Sequence, residues 1–111
     1  MSVVTIGNPA SNPVNMLPVA VQATSIPANT VANTVIKNAA GTFYGILVTS
    51  VGAGTPQVFD NASTNAGTII GALVASAPIG PVMGPTMGVK CNNGITVSGG
   101  ATNPAMTIFW T

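Results

Sequence analysis

From Thr34 onward apolar and polar positions alternate in short bursts, each closed by glycine, proline, asparagine or aspartate. "TVIKN" opens the series at Thr34, and "TFYGILVTS" follows from Thr42 to Ser50. β-Branched and aromatic residues dominate both pieces, the composition of strands. A period of two places Phe43, Gly45, Leu47 and Thr49 on one face of the longer piece and Tyr44, Ile46 and Val48 on the other. The second set is expected to face the core. "QVFDN", ended at Asp60-Asn61, and "TIIGALVA", from Thr68, read as two further strands. "TMGVKC", "ITVSG" and "MTIFW" complete the set, with "NNG" at Asn92 to Gly94 a tight turn.

No window carries a helical period. The pattern predicts an all-β fold of about six to eight short strands, a small β-sandwich or jelly-roll-like barrel. The first 30 residues differ from the rest. Pro9, Pro13, Pro18 and Pro27 stand too close together for a helix and awkwardly for a central strand. The expected division is therefore an extended, proline-containing N-terminal arm over 1–30 and a single β-sandwich domain over 31–111. The arm has room for at most a short strand at Val19 to Thr24. Met16, Leu17, Val19 and Val21 are its candidate partner-binding anchors, with packing on their own domain as the alternative.

One stretch, Thr68 to Val89, has no charge and the length of a membrane span. Pro78, Pro81 and Pro85 fall inside it, and its dense apolar run, Ile69 to Ala75, is strand-sized. No spanning helix is expected there.

Charged residues make up 3% of the chain, against about 25% in an ordinary soluble domain. Lys37, Lys90 and Asp60 are all of them, for a net charge of +1. So little repulsion between copies favours a protein that works inside an assembly, with an uncharged but independent soluble domain as the alternative.

The same scarcity removes most chemistry. Without histidine, glutamate or arginine the chain cannot build a histidine-based triad, a carboxylate pair or a zinc cluster. The expectation is a protein that is not an enzyme and uses no cofactor or metal. Two lysines make no basic patch for nucleic acid. "GAG" and "SGG" lack the residues of a phosphate loop and read as turns. Asp60 reads as an Asx-turn cap in preference to a calcium ligand. Cys91, the single cysteine, reads as a buried small side chain. Tyr44 and Trp110 are expected in the core. The amino terminus lacks the basic and apolar regions of a signal peptide, which points to synthesis in the cytoplasm.

Ile36 to Ile70, "IKNAAGTFYGILVTSVGAGTPQVFDNASTNAGTII", followed by "KCNNGITVSGG", resembles small virion proteins of tailed bacteriophages. In length and character the chain is similar to capsid decoration proteins, also called stapling or cement proteins. That resemblance implies a compact β-barrel or jelly roll with extended termini, acting as a dimer or trimer. It would bind the major capsid protein on the outer surface of an icosahedral capsid. Similar β domains occur in fibres, tails and glycan-binding attachment modules, where Asn61, Asn65, Asn92 and Asn93 would be the sugar-contact candidates. A minor self-assembling shell component is a further alternative.

Overall fold

The computed structural model describes residues 20–83 and 88–111. Among these, all regular structure is β. The strands are β1 (Gln22–Ile26), β2 (Thr34–Lys37), β3 (Gly41–Ser50), β4 (Gln57–Asp60) and β5 (Thr68–Ala72). They continue with β6 (Gly80–Met83), β7 (Val89–Cys91), β8 (Ile95–Val97) and β9 (Ala105–Trp110). The short strand expected at Val19 to Thr24 is found at Gln22–Ile26, where it pairs along its whole length with β9.

Two antiparallel sheets result. In the first the order is β1-β9-β3-β6, with β7 also on β3, and in the second it is β2-β8-β4-β5. β6 and β7 lie end to end along β3, pairing with Gly45–Val48 and Gly41–Phe43 respectively. Neither sheet closes on itself. Most connections change sheet, so each strand's neighbours are remote in sequence. The exceptions are the β4–β5 hairpin and the β6–β7 connection within the first sheet.

One core lies between the sheets. β1, β3, β7 and β9 supply Ile26, Phe43, Ile46, Val48, Cys91, Met106 and Ile108 from one side. Val58, Ile95 and Val97 come from the other, with Leu73 and Ala77 from the loop after β5. Removing a side chain such as Ile95 or Ile108 wholly from water contributes about 1.5–3 kcal/mol. Gly71 lets the sheets approach: a Cβ there would stand 3.0 Å from the Phe43 ring.

The expected core face of β3 is corrected in part. Ile46 and Val48 are buried as expected, but so is Phe43, from the opposite set. Phe109 pairs with Gly45 and Trp110 with Phe43, so Tyr44 is an extra residue, a β-bulge, and Gly45 has φ 147°. The bulge reverses the alternation, sending Phe43 inward before it and Ile46 and Val48 inward after it. Tyr44 consequently leaves the core and packs with Thr42 against Gly88.

Candidate functional site

The strand directions sort the described loops onto two ends. Loops 27–33, 51–56, 73–79 and 98–104 lie at the end where β1 finishes and β9 begins. Loops 38–40, 61–67 and 92–94 lie at the other. Lys37 ends β2, Asp60 ends β4 and Lys90 pairs with Thr42 near the start of β3. All three charged side chains of the chain are therefore at one end.

That charged end is held by Asp60. Its carboxylate accepts the N–H groups of Asn92 (3.1 Å), Asn93 (2.8 Å) and Gly94 (3.3 Å). Three successive donors from the β7–β8 turn thus converge on one acid, a small anion nest. Burial pushes the carboxyl up, but the N–H groups of Asn93, Asn92 and Gly94 together outweigh it and leave the acid below its ordinary value. The Asx turn expected at Asp60 belongs to its neighbour. Asn61 Oδ1 accepts the N–H groups of Ser63 and Thr64, both at 2.9 Å, and its amide donates to the Ala66 carbonyl at 3.1 Å. Asp60 reaches across to a different turn because β4 ends beside it.

Trp110 closes the core at this end. Its ring packs on the core cluster and its Nε1 donates to Thr24 Oγ1 at 2.8 Å. Lys37 Nζ lies 5.8 Å from the ring centroid, within cation–π range. Cys91 is fully buried, and burial first, then the Asp60 charge, push its thiol above the ordinary value. A thiol so placed is a poor nucleophile. Among the described residues no three of His, Cys, Asp or Glu gather into a metal-binding group. Nor is any helix there long and apolar enough to cross a membrane.

The opposite end has no charged residue, and backbone hydrogen bonds join its four loops. Asn29 N–H donates to the Asn103 carbonyl and Gly100 N–H to that of Thr30, both at 2.9 Å. Gly54 N–H donates to Thr102, and Ser76 N–H to Gly52, also at 2.9 Å. At the junction sits the buried side chain of Asn103, donating to the Ser98 carbonyl at 3.1 Å. Gly52, Gly54 and Gly100 make room for residues 102–104, which a Cβ on any of the three would strike. Each loop also carries one proline: Pro27, Pro56, Pro78 and Pro104. Asn29 (φ 61°) and Ser76 (φ 56°), the two non-glycine residues at positive φ among those described, belong to these loops as well. The loops therefore form one fixed plate, and from it Val31, Val51, Val74 and Ile79 stand 56% to 73% exposed.

Of the arm anchors expected from the sequence, Met16, Leu17 and Val19 lie outside the described residues. Val21 is half exposed and precedes β1 at the charged end. The candidate asparagines do come together there, Asn61 and Asn65 in the β4–β5 loop and Asn92 and Asn93 in the turn that Asp60 holds. Asn61, however, has both amide atoms engaged within its own loop. The four exposed aliphatic residues of the plate were not anticipated. A signal existed, since each lies in a segment containing a proline and without a charge, but nothing local says that the segments meet. Comparison with protein families, with curated proteins and with solved structures finds no match.

Proposed function

We propose that this chain is a non-enzymatic structural protein of a bacteriophage virion. It binds the outer surface of an icosahedral capsid as a small homo-oligomer and stabilises contacts between major capsid protein subunits. The observation that carries the proposal is the rigid, charge-free plate with its exposed Val31, Val51, Val74 and Ile79. A preformed surface loses little entropy on docking. It also desolvates no ion, so the contact is insensitive to salt. Weak copies of such a contact add up on a symmetric shell.

Strand pairing supports the jelly-roll reading of the domain. β1 pairs with β9, β2 with β8, β3 with β6 and β7, and β4 with β5. These are nested pairs of one long hairpin, rolled so that β9 meets β3 and β8 meets β4. Jelly rolls of this kind build viral capsid and lectin domains.

A second reading takes the lectin branch. The asparagines gathered at the charged end favour a fibre, tail or glycan-binding attachment module of the virion. The two readings place the contact at opposite ends. Source particles are sedimented and this chain is counted against the dominant protein by mass spectrometry. Recombinant protein is then tested for rebinding to stripped shells. Decoration predicts tens to hundreds of copies, roughly as multivalent display requires, and loss of rebinding in a Val31→Ser, Val74→Ser, Ile79→Ser variant. A chain absent from particles ends the virion proposal. A few copies per particle, with rebinding intact in the variant and glycan binding by the isolated protein that is lost on changing Asn92 and Asn93, favours attachment.

A further inference from the structure

We propose that Asp60 guards the Asn93–Gly94 peptide against deamidation, and that Asn93 is where this domain is covalently modified once the guard is lost. This inference stands apart from the virion reading. Asn93 is exposed at the charged end and is followed by glycine, the neighbour that offers least steric resistance to the reaction. In that reaction the Gly94 backbone nitrogen gives its proton to hydroxide and attacks Cγ of Asn93. A succinimide ring closes as the side-chain nitrogen leaves as ammonia, taking a proton from water. A second water then opens one of the two ring carbonyls, leaving aspartate or isoaspartate.

Two features of the fold oppose the first step. Gly94 N–H donates to Asp60 Oδ1 at 3.3 Å, and Asn93 N–H donates to the same oxygen at 2.8 Å. The proton that must leave therefore faces a carboxylate, and its loss would set two negative charges side by side. Each unit by which the N–H is made less acidic lowers the reactive anion about tenfold. The ring must also turn the Gly94 nitrogen toward the Asn93 side chain, but Gly94 is wedged. Its backbone has φ 156°, and a Cβ there would lie 2.6 Å from the Lys37 carbonyl oxygen and 2.7 Å from Ala62 Cα. Conversion would be costly to the fold as well as slow. It adds a second carboxylate beside Asp60, and isoaspartate lengthens a backbone that has no room to move.

The test follows the folded full-length chain at mildly alkaline pH, with peptide mapping by mass spectrometry reading amide-to-acid conversion at each asparagine. Ala66→Gly supplies an internal reference, placing glycine after the exposed Asn65 in the β4–β5 loop, outside the three N–H groups that Asp60 holds. In that variant Asn65 is expected to convert about tenfold faster than Asn93. Asp60→Asn, checked for folding by Trp110 fluorescence, should raise the Asn93 rate about tenfold, toward its rate in urea. Equal rates at Asn65 and Asn93 in the Ala66→Gly variant overturn the proposal. So does an unchanged Asn93 rate in folded Asp60→Asn. Should Asp60→Asn fail to fold, the internal comparison decides alone.

Discussion

At the end where β1 begins, three loops without a proline meet all the charged side chains of the protein. At the opposite end four loops with one proline each meet none. Both ends must satisfy the backbone groups that a two-sheet core leaves over at its rims. The charged end does so with an ion, Asp60, which gathers the N–H groups of one turn, and with Asn61, which closes the neighbouring loop on itself. The uncharged end does so with backbone carbonyls and with neutral side chains, Asn33, Ser50, Ser98 and the buried Asn103. An ion keeps one turn in place and must stay wet. A net of neutral hydrogen bonds spans four loops and leaves their outer surface free for apolar side chains. The second arrangement suits a docking face, and it is there that Val31, Val51, Val74 and Ile79 are exposed.

The largest test of this contrast is Asn103→Ala. The change removes the donor to the Ser98 carbonyl and opens a hole between Gly54 and Gly100. Losing the hydrogen bond to a half-buried acceptor and leaving a cavity where the buried carboxamide sat should cost about 2–3 kcal/mol of folding stability. Urea denaturation measures it. A loss smaller than that of Asp60→Ala would mean that the charged end is the better held.

Asp60→Ala comes next. Hydrogen bonds to an ion are worth about 1.5–3 kcal/mol, but this carboxylate is largely wet, and screening reduces the expected loss to about 1 kcal/mol. Its pH dependence separates it from any effect at the other end. The folded carboxyl titrates below its ordinary value. Its contribution is therefore complete above the unfolded carboxylate value and disappears as the pH falls through the lowered folded one. Stability of the wild type should decline across that acid window, and Asp60→Ala should flatten the decline. With Asp60 as the only acidic side chain, an unaltered acid decline in the variant would remove Asp60 from the account.

The contrast was only half legible in the sequence. Strands β3, β4, β8 and β9 stand out because their apolar runs are bounded by turn residues, so the all-β class followed from local pattern. β6 did not. "GPVM" sits among Pro78, Pro81 and Pro85, where no strand pattern stands out, yet it is an edge strand on β3, a place where Pro81 needs no ladder N–H. "TIIGALVA" reads as strand through Ala75 but β5 stops at Ala72, since Leu73 N–H turns to the Pro56 carbonyl at 3.0 Å. The bulge at Tyr44 defeats any strict period of two. The ends were less legible still. Asp60 finds its partners 32 to 34 residues away, and the plate is assembled from four segments that only the sheet crossings bring together.

The smallest expected effect on folding, and the one that bears most on function, is that of Val31→Ser, Val74→Ser and Ile79→Ser together. All three side chains already face water at 66% or more of their surface. Their removal should leave stability within about 0.5 kcal/mol of the wild type for each site. Against a partner surface the same three changes take away most of the exposed apolar area of the plate. Binding should then weaken while the melting curve does not move. Salt supplies the complementary control. Raising ionic strength from about 0.15 to 1 M shortens the Debye length from about 8 to 3 Å. An apolar contact through the plate should survive that change, whereas one made through Lys37, Lys90 or Asp60 should not. Retention lost in high salt, with the triple variant still binding, would move the interface to the charged end. The four valine and isoleucine positions would then be exposed residues of no special purpose.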